Sequence, residues 1–175
     1  MKINDNIYLR NIEDNEIDYK MLYKWCSNPK VYKYFEQRIL SYEEIVDKYK
    51  KRISSDGLIK TKIIIYKTIP IGLVQYYEMT YEDKSYFDLN KYDKVFSIDI
   101  FIGEDTYHNL GIGSMVINYI SDYLLNDCEI VALTPESDNV NAIKCYQKCG
   151  FKIVKEYNYS DSLGNKTINT LLIKQ

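Results

Sequence analysis

Several residue types are scarce in this 175-residue chain, and each shortage excludes something. There is one histidine, His108, so a Ser-His-Asp or Cys-His nucleophile would have to be built on that single ring. The four cysteines, Cys26, Cys128, Cys145 and Cys149, fit no zinc-ligand spacing with it, and no metal is expected. No apolar run exceeds four residues (Ile63 to Tyr66 and Ile130 to Leu133), so no segment spans a bilayer. The opening Met-Lys-Ile-Asn-Asp-Asn lacks the apolar stretch of a signal peptide, which predicts a cytoplasmic protein with reduced thiols. Lys plus Arg number 23 against 25 Asp plus Glu, so the basic surplus of a nucleic-acid binder is missing. Neither a nucleic acid nor a membrane is expected as partner.

Tyrosine is abundant instead, at 19 residues against 5 Phe and 1 Trp. Its apolar ring and polar tip suit half-wet walls of clefts, although the codon bias of a low-GC genome produces the same excess. The count by itself names no ligand.

Hydrophobic spacing and turn residues predict the elements. Ile7–Ile12 reads as a strand and Asp18–Cys26 as a helix. Ser41 and Glu44 form a capping box that opens a helix to about Ile53. Lys62–Lys67 is a strand, Pro70 and Gly72 punctuate, and Leu73–Thr80 is the next strand. Tyr81–Tyr92 is a loop or excursion, and Val95–Ile102 is a strand. Gly111–Leu125 is a helix with an apolar stripe of Ile112, Met115, Val116, Tyr119, Ile120 and Tyr123. Glu129–Leu133 is a short buried strand. Asn139–Lys148 is a helix closed by Gly150. Phe151–Tyr157 and Thr167–Ile173 are strands joined by a turn around Ser162–Asn165. No repeat or linker interrupts the chain. The expectation is one α/β domain over residues 1–175, a mixed sheet with helices packed on it.

Two features carry chemistry. The first is His108-Asn-Leu-Gly-Ile-Gly113, between a strand and a strong helix. Glycines there bring backbone N–H groups close to a ligand, and the helix dipole adds positive potential, a combination suited to phosphate. The loop is neither a Rossmann fingerprint nor a Walker loop, and a plain glycine-rich helix start has the same spelling. The second is Asp99. It shares one strand face with Val95, Ser97 and Phe101, and a mid-strand carboxylate costs stability unless it is paired or faces a cleft. A cationic amine would satisfy it; an edge position in water is the bland alternative.

The glycine loop, together with Asn139-x-x-Ala142-x-x-x-Tyr146 and Gly150-Phe151, resembles the GNAT N-acetyltransferases. Pro70–Tyr77 and the stretch Ile98-Asp-Ile-Phe-Ile-Gly103 narrow the resemblance to the aminoglycoside 6'-N-acetyltransferases, including the acetyltransferase half of bifunctional acetyltransferase-phosphotransferase enzymes. The likeness runs from about Ile7 to the end of the chain. It implies a centrally splayed mixed β-sheet flanked by helices, and acetyl-CoA as co-substrate without a metal. It assigns His108, Asn109, Leu110, Gly111, Ile112, Gly113 and Ser114 to the pyrophosphate. Main-chain amides at Phe101 and Ile102 would face the thioester oxygen, with Asn139 and Ala142 beside the pantetheine arm. Asp99 becomes the anchor or proton acceptor of the amine and Tyr146 the acid for the departing sulfur, although Tyr146 at helical spacing behind Ala142 also reads as core. Gln75, Tyr77, Glu82 and Glu136 fall on the acceptor side.

The implied substrate is a small cationic amine, an aminoglycoside whose acetylation confers antibiotic resistance, and the implied assembly is a monomer or homodimer. The window Glu78–Asp105 fits that substrate, with eight carboxylates, three lysines and several aromatic rings, although a solvated acidic loop has the same composition. Two positions depart from the family. His108 replaces the usual Gln or Arg, and Thr134 replaces the Asp that commonly precedes proline after the buried strand, with Glu136 and Asp138 nearby. Another small amine as acceptor, and a non-catalytic acyl-CoA-binding module, remain open at this point.

Overall fold

A computed structural model describes residues 1–54, 58–160 and 164–175. In chain order the elements are β1 (Ile7–Asn11), α1 (Glu16–Cys26), α2 (Pro29–Phe35), α3 (Tyr42–Ser54), β2 (Ile59–Tyr66), β3 (Ile69–Glu78), α4 (Tyr81–Tyr86), β4 (Val95–Ile102), α5 (Ile112–Leu124), β5 (Ile130–Leu133), α6 (Val140–Lys148), β6 (Lys152–Ser160) and β7 (Lys166–Lys174). The mixed α/β architecture, with a seven-stranded sheet and flanking helices, is the expected one. No helix among the described residues is long and apolar enough to cross a membrane.

The chain forms two compact units. The first comprises residues 1–77 and 99–116. Here β1 pairs antiparallel with β2, and β2 with β3. The run Ile63-Ile64-Ile65 is wholly buried, as β-branched side chains between covered faces should be. Ile63, Ile65, Leu73 and Phe101 share a core with Leu22, Trp25, Cys26, Val31, Ile45 and Tyr49 from the three N-terminal helices. Arg10 grips the buried Asp18 carboxylate with both guanidinium nitrogens, at 2.7 and 2.5 Å, and so ties β1 to the first turn of α1. The Ser41 capping box forms as expected: the Glu44 amide donates to Ser41 Oγ, and the Ser41 amide to the Glu44 carboxylate.

Pro70 and Gly72 lie inside β3 and do not punctuate before it. Pro70 falls where the β2–β3 register shifts, so its missing N–H fits an irregular ladder. Gly72 is demanded by crowding: a Cβ there would collide with the Phe101 carbonyl oxygen and stand 2.9 Å from Ile102 Cα. Just beyond, the Gly103 and Glu104 amides both donate to the Ile71 carbonyl, at 2.8 and 3.2 Å. Two successive amides on one acceptor mark a bulge-like break in the ladder at the end of β4.

The second unit comprises residues 78–98 and 117–175. β4 pairs in parallel with β5 through Val95/Ile130, Phe96/Val131 and Ser97/Ala132, while β5–β7 and β6–β7 are antiparallel. Met79, Phe87, Leu89, Val95, Ile130, Ala132 and Leu171 form its core. The Tyr81–Tyr92 excursion opens with α4, whose Thr80 and Asp83 make a reciprocal capping box. The buried stripe of α5 is Ile112, Val116, Ile117, Ile120, Ser121 and Leu124; Met115 and Tyr123, expected inside, are exposed. Ser121 can be buried because its hydroxyl donates to the Asn118 carbonyl and accepts from Lys174. Of the turn expected around Ser162–Asn165, residues 162 and 163 lie outside the described residues.

Candidate active site

Asp99 stands on the core face of β4, two residues before the buried Phe101. Its carboxylate oxygen Oδ2 accepts from the Gln75 amide at 2.6 Å, and the Tyr77 hydroxyl also donates to the group. Gln75 and Tyr77 alternate along β3, so both present side chains to the same face. Of the five acceptor-side positions, Gln75, Tyr77 and Asp99 therefore come together in one unit, while Glu82 and Glu136 belong to the other.

Asp99 is half-buried, yet protein surrounds it closely enough that desolvation pushes its carboxyl above the ordinary aspartate range. The hydrogen bonds from Gln75 and Tyr77 and the positive charges of Arg52 and Lys48 pull in the other direction. A carboxylate held this way keeps an appetite for a cation and for a proton.

Two cations acting on it, and the partner of one of them, carried no assignment from sequence. Arg52 of α3 donates to the Gln75 carbonyl oxygen. Lys48, one turn earlier on α3, pairs with Glu36, which follows α2. Burial lowers the Lys48 ammonium, and Glu36 counters that. The signal was present in α3: Ile45, Lys48, Tyr49 and Arg52 fall at i, i+3, i+4 and i+7, which places two cations on the buried stripe of an amphipathic helix. Cys26 lies in the adjoining core. Its thiol is pushed up to about 12, chiefly by burial, which disqualifies it as a nucleophile at neutral pH.

The loop from His108 to Ser114 belongs to the same unit. Asn109 and Gly111 have positive φ, 60° and 75°, so the chain reverses tightly into α5. Gly111 suits that backbone; Gly113 does not need it, and a Cβ added at Gly113 would meet no protein atom within 4 Å. Glycine at 113 therefore answers neither a strained φ nor internal crowding. The first amides of a helix have no intrahelical acceptor, and α5 carries no acidic residue in its first turn, unlike α1, α3 and α4. This end of α5 therefore keeps the positive potential of its first amides. Leu110 is exposed, Ile112 is buried, and Ser114 is half-buried. The His108 ring lies 2.8 Å from the Ile102 carbonyl, which fastens the loop to the end of β4.

Asn139, Ala142 and Tyr146 all lie at α6 in the second unit. Asn139 is the N-cap, its side-chain oxygen accepting from the Ala142 amide at 3.3 Å. Tyr146 is buried with its ring beside Phe151. Glu82 is exposed in the first turn of α4, and half-buried Glu136 bridges to Asn169 of β7. The acidic window is less available than its composition implied. Asp83 caps α4, Asp88 pairs with Lys155, Glu104 holds Lys24 and the Trp25 ring N–H, and Asp105 holds Lys30.

A carboxylate on a sheet face, and a glycine-bearing helix start with unpaired amides after the same strand, are the site features that this α/β unit presents. Residues 14–159 match the model of the acetyltransferase (GNAT) domain, and the chain belongs to that family. An aminoglycoside N(6')-acetyltransferase type 1 of Klebsiella pneumoniae is 23% identical over 153 residues, 85% of this chain and 75% of that one. The structure of AAC(6')-Ib with coenzyme A and kanamycin superposes with a TM-score of 0.75 at 18% identity, covering 97% of this chain and 94% of that one. The spermidine N-acetyltransferase of Vibrio cholerae, solved with CoA and spermine, gives 0.75 at 19% identity, covering 98% and 96%. The two structural likenesses establish the fold.

Proposed function

We propose that this protein is an acetyl-CoA-dependent aminoglycoside 6'-N-acetyltransferase, one catalytic domain over residues 1–175, that confers antibiotic resistance. The observation that carries the reading is the Asp99 carboxylate, half-buried on a sheet face and held by Gln75 and Tyr77. It has the charge to anchor an ammonium and the proton affinity to help make it a nucleophilic amine. Membership in the GNAT family supplies the acetyl donor, and the names of relatives supply the aminoglycoside.

In this reading the amides from Gly111 to Ser114 grip the diphosphate of acetyl-CoA, and those of Phe101 and Ile102 steady the thioester oxygen as it gains charge. The irregular pairing of Gly103 and Glu104 with Ile71 begins directly after these two amides, which supports the role. Asn139 and Ala142 flank the pantetheine arm, and Tyr146 protonates the departing sulfur. Glu82 and Glu136 contribute to the acceptor side. Acetyl-CoA is a substrate, and no metal takes part. The finer likeness to the acetyltransferase half of bifunctional resistance enzymes belongs to the same proposal.

A second reading, acetylation of a polyamine or amino sugar, is favoured by Thr134 at the family's Asp position. Its carbonyl is taken by Asn169, and it brings no charge for an antibiotic. Thiol release from acetyl-CoA with a panel of amines tests both. Turnover with kanamycin-type compounds is the expected result. Turnover with spermidine alone selects the second reading, and CoA binding without turnover reduces the protein to an acyl-CoA-binding module.

A further inference from the structure

Arg52 and Lys48 of the first unit act on Asp99, Glu36 joins through Lys48, and the four side chains together carry no net charge. Glu36 and Lys48 form one pair. Arg52 and Asp99 form the other, bridged by Gln75, whose carbonyl oxygen accepts from Arg52 and whose amide donates to Asp99. The bridge has a direction. With Arg52 on its oxygen, the Gln75 side chain must present its NH2 group to the carboxylate; without Arg52 the amide is free to turn and oppose oxygen to oxygen. Among the described residues Tyr77 is the remaining titratable group acting on the carboxylate from β3; Tyr49 of α3, whose ring lies against Arg52 and Lys48, and Cys26 of α1 belong to the adjoining core.

We propose that Arg52 is a positioning residue for acetyl transfer: it orients Gln75 against Asp99 and balances that carboxylate, so that an ammonium bound there becomes the surplus charge of the cluster and is driven to lose its proton. The inference rests on the acetyltransferase reading. In the step, one N–H bond of the ammonium breaks and its electron pair stays on nitrogen. The proton passes to solvent water and forms its O–H bond there, while Asp99 stays ionised beside Arg52, and the freed lone pair is available to attack the thioester carbon. A cluster without Arg52 holds the ammonium as a neutral ion pair, a state that binds well and reacts slowly.

The signature is a split that loss of structure does not give. In Arg52→Gln, the KM for kanamycin falls about threefold or more while kcat at neutral pH falls about tenfold, and the acid limb of kcat moves to higher pH. Glu36→Gln adds net positive charge and raises KM. Arg52→Lys keeps the charge and stays near wild type in its acid limb, and it carries the test if Arg52→Gln does not fold by circular dichroism. Carboxyl 13C titration of the free protein, which needs no substrate, finds Asp99 protonated at higher pH in Arg52→Gln than in wild type. An unmoved Asp99 midpoint, or a KM that rises in Arg52→Gln with an unchanged acid limb, overturns the inference. Wild-type protein that acetylates neither kanamycin nor spermidine, with the Asp99 midpoint shifted as stated, overturns the acetyltransferase reading instead.

Discussion

At the scale of single residues, Asp99 sets its proposed function against stability. Burial raises its carboxyl above the usual range, so the ionised form costs folding free energy at neutral pH. The sign follows from the raised value. The group's stabilising contribution is complete below its unfolded value and is lost as pH rises through the higher folded one. Asp99→Asn should therefore melt at or above the wild-type temperature at pH 7, with the difference closing below about pH 4. Thermal melts across pH check this, and a lower melting temperature at pH 7 contradicts it. The two loop glycines separate in the same way. Gly113→Ala meets no protein atom and leaves the denaturation midpoint unchanged, but it weakens CoA binding, measurable by calorimetry. Gly111→Ala, at φ 75°, costs about 1 kcal/mol of stability as well.

At the scale of elements, the clamp between β1 and α1 is the clearest buried ion pair. Asp18 is buried, accepts from Arg10 and from the Glu13 amide, and leaves no substitute for the guanidinium. Arg10→Met should cost about 3–5 kcal/mol by urea denaturation, because an uncompensated carboxylate remains behind. An unchanged midpoint would show that water reaches Asp18. Most elements were legible from spacing and caps: β4 matches its expected span, and α1, α3, α5 and α6 fall within two residues of theirs at each end. The misses have physical causes. α2 is seven residues long, too short for periodicity, though Asn28 and Pro29 are a legible N-cap and first turn. α4 hid in a polar stretch whose only signal was its capping box. The start of β3 was misplaced because Pro70 and Gly72 usually break strands. Here the reasons for them, a register shift and the Phe101 carbonyl, lie on other strands. The α5 stripe was rotated because Ser121 reads as polar until its partner Lys174, 53 residues away, is known.

At the scale of the whole molecule, part of the candidate site was legible and part was not. Asp99 declared itself as a carboxylate among apolar neighbours, and Gln75 and Tyr77 followed from the family resemblance. Lys48 and Arg52 left only the spacing of the α3 stripe, a faint signal because a cation on a helix ordinarily means solvent, and Glu36, just past α2, left none until packing paired it with Lys48. The acidic window misled for the opposite reason: composition counts carboxylates without showing which are already paired with Lys24, Lys30 or Lys155. A net charge of -2 with those pairs closed provides little long-range steering, so under the proposed function recognition of the cation falls to the few groups at Asp99. The most direct measurement is thiol release from acetyl-CoA with kanamycin, wild type beside Asp99→Asn, both verified as folded. The account predicts turnover by the wild type and a loss of about 10²–10⁴ in kcat for the variant. Equal turnover by the two proteins would contradict it.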